Sequence, residues 1–435
     1  MVTRTKTVFN VKDLPNIKAK LFSWATNKSP LAWYDTNDYP YHTGTYDAIL
    51  AVETSNEYFM SSKDLSKHIG IDWLFGFFSY EFSDNWEAIS PAKQRTISVP
   101  TLQFFCPEKV WLLKGDFLTA LYVNQADAKK DFDKISQALP IVLGPSARID
   151  LTPRISKSEY LRHATLLQKH ILRGDIYEVN YCMEWFAEAV SVNPPQLFNS
   201  LNAIAKTPFA AYLTIENIHL LCASPERFLQ RMGSTIISQP IKGTSARHKN
   251  EVLDMAAAKL LKSDPKERAE NIMITDLVRN DLSRIAKKGT VMVSEQCAVY
   301  PFAQVHQMIS TITAQCEKSA SSLEIIDACF PMGSMTGAPK QRAMELIDKY
   351  EASQRGLYSG AVGYFTPNGD FDFNVVIRSL IYDTEKNYLS THVGSAITAA
   401  SKVEKEYEEC QLKAAAIKRV LANTHKTPLK YGTKV

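Results

Sequence analysis

Residues 240–244 read Pro-Ile-Lys-Gly-Thr, which places the amine of Lys242 on constrained backbone, with a proline ordering the strand end before it and a Gly-Thr turn after it. That is how a nucleophile is presented to a bound molecule. Taken alone, a turn lysine is an ordinary solvated residue. Its company gives it weight. Glu267 and Glu270 stand three apart on one expected helix, and Glu406 and Glu409 three apart on another, so each pair shares a helix face. Four converging carboxylates would bind a hard divalent cation such as Mg2+, although Glu267 also reads as a capping residue and 404–409 as a solvated acidic face. Lys413 follows Glu409 by four residues, placed either for an i,i+4 bridge or to hold a substrate carboxylate.

Glu226, in Ser-Pro-Glu-Arg at 224–227, ends an apolar strand. Partly desolvated there, its carboxyl would stay protonated and act as a general acid; otherwise it is a surface glutamate beside Arg227. The loop at 331–340, which contains Thr336 and Lys340, offers amide and hydroxyl donors to an anion but lacks the Gly-Lys-Ser/Thr ending of a nucleotide loop. Arg378 closes the apolar stretch 373–377, where a buried guanidinium needs a carboxylate from the protein or a substrate. Gly394, Ser395 and Ala396 follow another apolar run and would supply backbone N–H groups to a second carboxylate. His306 is a lone histidine in an uncharged stretch, more often core than catalytic. Together these residues describe a pocket for a small polyanion.

The elements that must position them follow from periodicity and caps. Ser156-Lys-Ser-Glu159 is a capping-box signature for a helix that Gly174 stops, and Asp264-Pro265-Lys-Glu267 starts another. Helices are also expected at 303–314, 322–330 and 340–350, and a last one from Ser401, with Glu404 completing a second capping box, to before His425. Strands are expected at 176–187, 210–214, 219–222, 358–366 and 371–382, with hairpin pieces over 228–241. Residues 1–140 are rich in aromatics, including Trp33, Tyr34, Tyr39 and Tyr41, and 73–82 reads as a buried strand pair. The Pro- and Gly-containing stretch 143–154 is a connector.

The chain has 435 residues, 45% apolar and 22% charged, with both signs mixed to a formal +4. No basic stripe argues for nucleic acid, and no run approaches membrane-spanning length. Seven scattered cysteines without a Cys-x-x-Cys pair fit reduced thiols and a cytoplasmic location better than disulfides or zinc. The first residues carry no continuous apolar core for a signal peptide.

In order and spacing, IYEVN at 176–180, SPERF at 224–228, PIKGT at 240–244, ERAENIMITDLVRND at 267–281, FPMGSMTGAPKQRAM at 330–344 and SKVEKEYEE at 401–409 resemble the chorismate-utilising enzyme family, in particular the branch that aminates chorismate. The likeness runs from about 156 to 421, and GFFSY at 76–80 resembles the family's accessory segment. It implies an α+β fold with two face-packed antiparallel sheets flanked by helices, in one large domain. Residues 1–150 would be an accessory segment of that fold, 151–425 the chorismate-binding catalytic region and 426–435 a polar tail.

The resemblance also implies roles. Glu267, Glu270, Glu406 and Glu409 would surround Mg2+, and Glu226 would protonate the departing C4 hydroxyl of chorismate. Thr244, His306, Thr336, Tyr358, Arg378, Gly394, Ala396 and Lys413 would line the substrate site. Lys242 would attack the ring at C2, its pKa lowered by an apolar pocket, before ammonia adds at C4; the related anthranilate synthases have alanine at that position. Ala396 stands where the family usually has a second glycine. No tryptophan-binding segment is recognisable at 32–38, and no Gly-x-Cys-x-Gly nucleophile is present, so ammonia would come from a separate glutamine amidotransferase subunit. The expected product is 4-amino-4-deoxychorismate, for 4-aminobenzoate and folate. The alternatives are anthranilate synthase, an isochorismate- or salicylate-forming member, and a non-catalytic chorismate-binding subunit.

Overall fold

The structure, a computed structural model, describes residues 3–39, 45–54, 58–82, 96–123, 127–142 and 148–422. Tyr41, positions 143–147 of the expected connector and the 426–435 tail lie outside them. Among the described residues the strands build two antiparallel sheets, one 12-stranded and one 9-stranded. Strand Ala48–Val52 is apolar at every position because both its faces are covered. Ala48, Leu50 and Val52 enter one apolar cluster and Ile49 and Ala51 another, as a period of two requires.

The cluster that takes Ile49 also takes Phe75 and Phe77 from the 9-stranded sheet and Leu213 and Leu220 from the 12-stranded one, so it is the slab between the layers. Leu74 and Phe78 point the opposite way, against Ile274, Val278 and Leu282 of helix Pro265–Ser283. Hydrogen bonding runs across position 150 in both sheets, since Leu31–Asp35 pairs with Phe209–Ile215 and Leu74–Phe78 with Ala361–Phe365. The result is the expected α+β architecture of two face-packed sheets with helices outside.

The caps decide two of the helices. Ser156 Oγ accepts from the Glu159 amide at 3.2 Å while the Ser156 amide donates to Glu159 Oε2 at 3.0 Å, and Gly174, at φ 88°, ends helix Lys157–Arg173. Asp264 Oδ1 accepts from the Lys266 and Glu267 amides at 2.9 and 3.0 Å and starts helix Pro265–Ser283.

Other expectations are corrected. The helix expected at 303–314 is strand Val305–Gln315, which pairs with three neighbours and buries His306, Met308, Ser310, Ile312 and Ala314 on one face. Cross-strand packing overrides local propensity there. The capping box at Ser401 does not form: helix Val403–Leu421 starts two residues on, and Ser401 Oγ instead accepts from the Thr398 amide at 3.0 Å and donates to Ala396 O at 3.3 Å. The pair expected at 73–82 is one strand, Leu74–Phe78. The connector's Thr152–Pro153 forms a short strand on Glu178–Ala187.

The strand expected at 371–382 is two strands in different sheets. Phe371–Val375 lies in the 9-stranded sheet and Ser379–Asp383 in the 12-stranded one, with Arg378 at φ 55° in the passage between. Chain also passes from Ile218–Ser224 in the larger sheet to Arg227–Met232 in the smaller through Pro225 and Glu226. The two passages touch: the Val375 amide donates to Glu226 O at 3.1 Å, and the Ala223 amide to Arg378 O at 3.3 Å. Two residues singled out for chemistry therefore sit where the chain changes layers.

Candidate active site

Strand Ile241–Ala246 pairs with Val305–Gln315, and its register slips between Ile241 and Thr244. Lys242 and Gly243 occupy the slip. Such a bulge re-aims the side chain beside it, and Gly243 takes the left-handed φ of 97° that the bend needs. A Cβ on Gly243 would lie 3.3 Å from Glu267 Oε2, so the turn is seated directly on the glutamate-bearing helix. Asn271 of that helix locks the arrangement by donating to Lys242 O at 3.3 Å and Met308 O at 3.2 Å.

Lys242 Nζ donates to Glu178 Oε1 at 2.9 Å, and both side chains are largely withdrawn from solvent. This corrects the expected pKa of the amine. Burial pulls it down, but Glu178, Glu270 and Glu226 more than offset burial and hold the amine well above the ordinary lysine value. The geometry is that of an ion pair between Lys242 and Glu178.

Glu226 lies buried where the chain changes sheets. Burial pushes its carboxyl up to about 7, against the opposing pull of the Ser334 hydroxyl, which donates to Oε1 at 2.7 Å, and of Lys242. Its neighbour Arg227 is bound elsewhere, bidentate to Asp372 at 3.0 and 3.1 Å, so the side-by-side glutamate and arginine do not pair. A carboxyl raised towards neutrality and a buried lysine thus lie within each other's electrostatic field.

Of the four glutamates, two from different helices, Glu270 and Glu406, reach the same ammonium, that of Lys266. Its Nζ lies 3.5 Å from Glu270 Oε1 and 3.7 Å from Glu406 Oε1. Although burial works against charge on this amine, Glu270, Glu406, Glu267 and Glu409 together raise its pKa. Glu270 Oε1 is buried without a hydrogen-bond partner, and burial first of all lifts its carboxyl to about 7. Glu406 Oε2 accepts from Ser395 Oγ. Desolvation opposes ionisation of Glu409, but Lys413, 2.7 Å from Oε1, keeps its pKa below the usual value. Among the described residues no three Asp, Glu, His or Cys side chains stand grouped closely enough to hold a metal ion as they lie. The donor chemistry suits a hard cation: the groups are oxygen only, and the buried Glu270 Oε1, which makes no hydrogen bond, lies beside a positive charge, the Lys266 ammonium.

The remaining site residues divide. Lys413 forms the i,i+4 bridge to Glu409 and also donates to Gly394 O at 2.8 Å, while Arg378 Nη1 donates to Lys413 O at 3.3 Å, so Arg378, Gly394 and Lys413 meet in space. Ala396, two residues along, pairs with Asn180. Tyr358 is buried, its ring 5.1 Å from the stacked His392 and its hydroxyl 3.9 Å from Cys182 Sγ. His306 Nε2 sits 2.9 Å from Asp254 Oδ1 on helix Glu251–Ser263, and the Arg247 hydrogen bond leads the interactions that hold Asp254 well below the usual carboxylate range. Thr244 is exposed one strand away, opposite Gln307.

The loop read as an anion cradle is tied up internally. Thr336 Oγ1 donates to Met332 O at 3.1 Å, and Lys340 Nζ to Asp281 Oδ2 at 2.6 Å. What the loop does is clamp the strand that carries Glu178. The Tyr177 amide donates to Ala338 O at 2.6 Å and the Asn180 amide to Thr336 O at 2.8 Å. A Cβ on Gly337 would stand 2.1 Å from Glu178 O and 2.9 Å from Ala343 Cβ. Gly337→Ala is therefore expected to destabilise the fold by about 1–3 kcal/mol and to lower turnover as well; urea melts of the two proteins check this, and equal midpoints would contradict it.

Sequence reasoning missed Glu178, Ser334 and Lys266, and took Ser395 for its backbone amide, not for the hydroxyl that reaches Glu406. One signal was available: Glu178 and Glu184 are the only acids in the otherwise apolar or neutral strand Glu178–Ala187. Glu184 is answered by Arg154 at 3.0 Å, and Glu178 by the lysine.

With this geometry in view, the likeness to known proteins is informative. Residues 28–419 match the model of the chorismate binding enzyme family, and the chain belongs to that family. The aminodeoxychorismate synthase component 1 of Escherichia coli (strain K12) is 34% identical over 342 residues, 77% of this chain and 73% of that protein. The aminodeoxychorismate synthase of Streptomyces griseus is 41% identical over 62% of this chain, which spans only 37% of that longer relative. In fold, the menaquinone-specific isochorismate synthase of Escherichia coli superposes with a TM-score of 0.76 over 97% of this chain and 95% of its own, at 18% identity. No helix among the described residues is long and apolar enough to cross a membrane.

Proposed function

We propose that this chain is an aminodeoxychorismate synthase component I, which replaces the C4 hydroxyl of chorismate by an amine to give 4-amino-4-deoxychorismate. Its ammonia comes from a separate glutamine amidotransferase subunit, and the step belongs to 4-aminobenzoate and folate synthesis in the cytoplasm. Residues 151–425 carry the chemistry and 1–150 complete the two sheets. The observation that carries the reading is the bulge-mounted Lys242 amine, buried in the same field as the protonated Glu226.

In this reading Lys242 bonds to C2 of the ring as the C4 hydroxyl departs with the Glu226 proton, which avoids expelling hydroxide. Ammonia then adds at C4 and the lysine leaves. Arg378 and Lys413 hold substrate carboxylate at the pocket edge. Magnesium bound by Glu267, Glu270, Glu406 and Glu409 would neutralise substrate negative charge. The enolpyruvyl group is untouched. Anthranilate formation would expel it as pyruvate, and Lys242 argues against that outcome.

The test is to incubate the chain with chorismate, magnesium and ammonium and to identify the product by mass while assaying pyruvate. An amine that retains the enolpyruvyl group is expected; anthranilate, isochorismate or unchanged chorismate would reject the reading. The cation site makes its own prediction. Lys266→Met removes the ammonium that competes for the glutamates, so magnesium alone, titrated by calorimetry, should bind about tenfold tighter, or about 1.4 kcal/mol. Unaltered affinity would take the cation away from these carboxylates.

A further inference from the structure

We propose that Glu178 is the proton acceptor that turns the Lys242 ammonium into the attacking amine and gives the proton back when the lysine leaves. The inference rests on Lys242 being the nucleophile, and deepens that reading. An ammonium has no lone pair, so a lysine held charged needs a base in contact before it can bond to carbon. Glu178 Oε1 is that contact, at 2.9 Å from Nζ. Its second oxygen, Oε2, is buried and has no hydrogen-bond partner, so it can carry the proton without breaking another interaction.

The other two carboxylates near Lys242 are engaged elsewhere. Glu226 gives Oε1 to Ser334, and Glu270 faces Lys266. Glu178 is also held in place. Its backbone pairs with Ala338 on one side and Thr398 on the other, and Gly337 lets the loop close tightly over it. Closing water out of the pocket by bound substrate weakens an ion pair relative to its neutral form, so the neutral amine and carboxylic acid become accessible when substrate is present.

The protons and bonds balance. Lys242 passes one proton to Glu178; its lone pair forms N–C2; the two ring double bonds shift along, and the C4–O bond breaks with the Glu226 proton leaving as water. Ammonia next forms N–C4, the double bonds shift back, and C2–N breaks to release the amine. Lys242 then recovers the proton from Glu178, and the new ammonium together with solvent reprotonates Glu226. No oxidant or reductant enters.

The test compares the full chain with Glu178→Gln and Glu178→Asp, under the product assay above and after acid quench at early times, when mass spectrometry of the Lys242 peptide measures the covalent adduct. Glutamine keeps the shape and accepts a hydrogen bond but cannot hold the proton. Its kcat is expected to fall about 10²–10⁴-fold with adduct loss, while KM for chorismate moves by less than about threefold; aspartate, still an acid, should regain at least about tenfold over glutamine. If the parent forms the C4 amine and glutamine retains kcat within about threefold, or aspartate and glutamine are equally slow, Glu178 is not the base. If the parent forms no C4 amine, the nucleophile reading itself falls and this inference with it. Circular dichroism melts confirm that each variant is folded.

Discussion

Replacing Lys242 with alanine is expected to cut formation of 4-amino-4-deoxychorismate by on the order of 10³-fold or more, the scale lost when a covalent nucleophile is removed. The residual product is informative. Without the lysine, ammonia can itself enter at C2, so a C2 amine in place of the C4 amine would mark redirected attack. The same substitution strips Glu178 of its partner inside the protein. Breaking a buried pair from one side costs about 3–5 kcal/mol unless the remaining carboxyl takes up a proton, so a lowered Tm is expected, with the fold retained. Mass-resolved turnover and a thermal melt check both parts. Undiminished C4 amination by Lys242→Ala would end the covalent role.

Glu226→Gln should remove activity and add stability. As the acid for a departing hydroxyl, Glu226 contributes about 10²–10⁴-fold to kcat, and glutamine cannot supply the proton. The stability effect follows from linkage. The folded-state carboxyl titrates at about 7, above its ordinary 4.5, chiefly because it is buried. Between those values the folded chain binds more protons than the unfolded one, so stability declines as pH rises through this window and the full penalty is present above about pH 7. At about 1.4 kcal/mol per unit the penalty approaches roughly 3 kcal/mol. Denaturant melts of parent and variant should coincide in their Glu226 contribution near pH 4 and separate by pH 8, with the variant ahead. Equal differences at both pH values would contradict the raised carboxyl. The parent's kcat should fall above about pH 7 as the acid is lost.

Much of this architecture could be read from residue order. The caps at Ser156 and Asp264 declare their helices because they are satisfied within four residues, and the Glu267–Glu270 spacing shares a helix face for the same local reason. Where long-range pairing decides, local reading failed. Strand Val305–Gln315 is made a strand by three partners remote in the chain, and Ser401, a sound capping residue by type, is diverted by Thr398 and Ala396. The site shows the same division. Residue types marked Lys242, Glu226 and the four glutamates as candidates, but the pairing of Lys242 depends on Glu178, 64 positions earlier. No window of sequence contains both.

The passages at Glu226 and Arg378, a few residues each, bridge layers that are otherwise separated by a close-packed apolar slab. Neither residue can shift far unless one sheet slides over the other. The spacing of Glu226 and Arg378 is thus gauged by the thickness of the protein interior and not by a hinge. If the proposed function holds, substrate discrimination here is set first by the width between the layers and only then by charge.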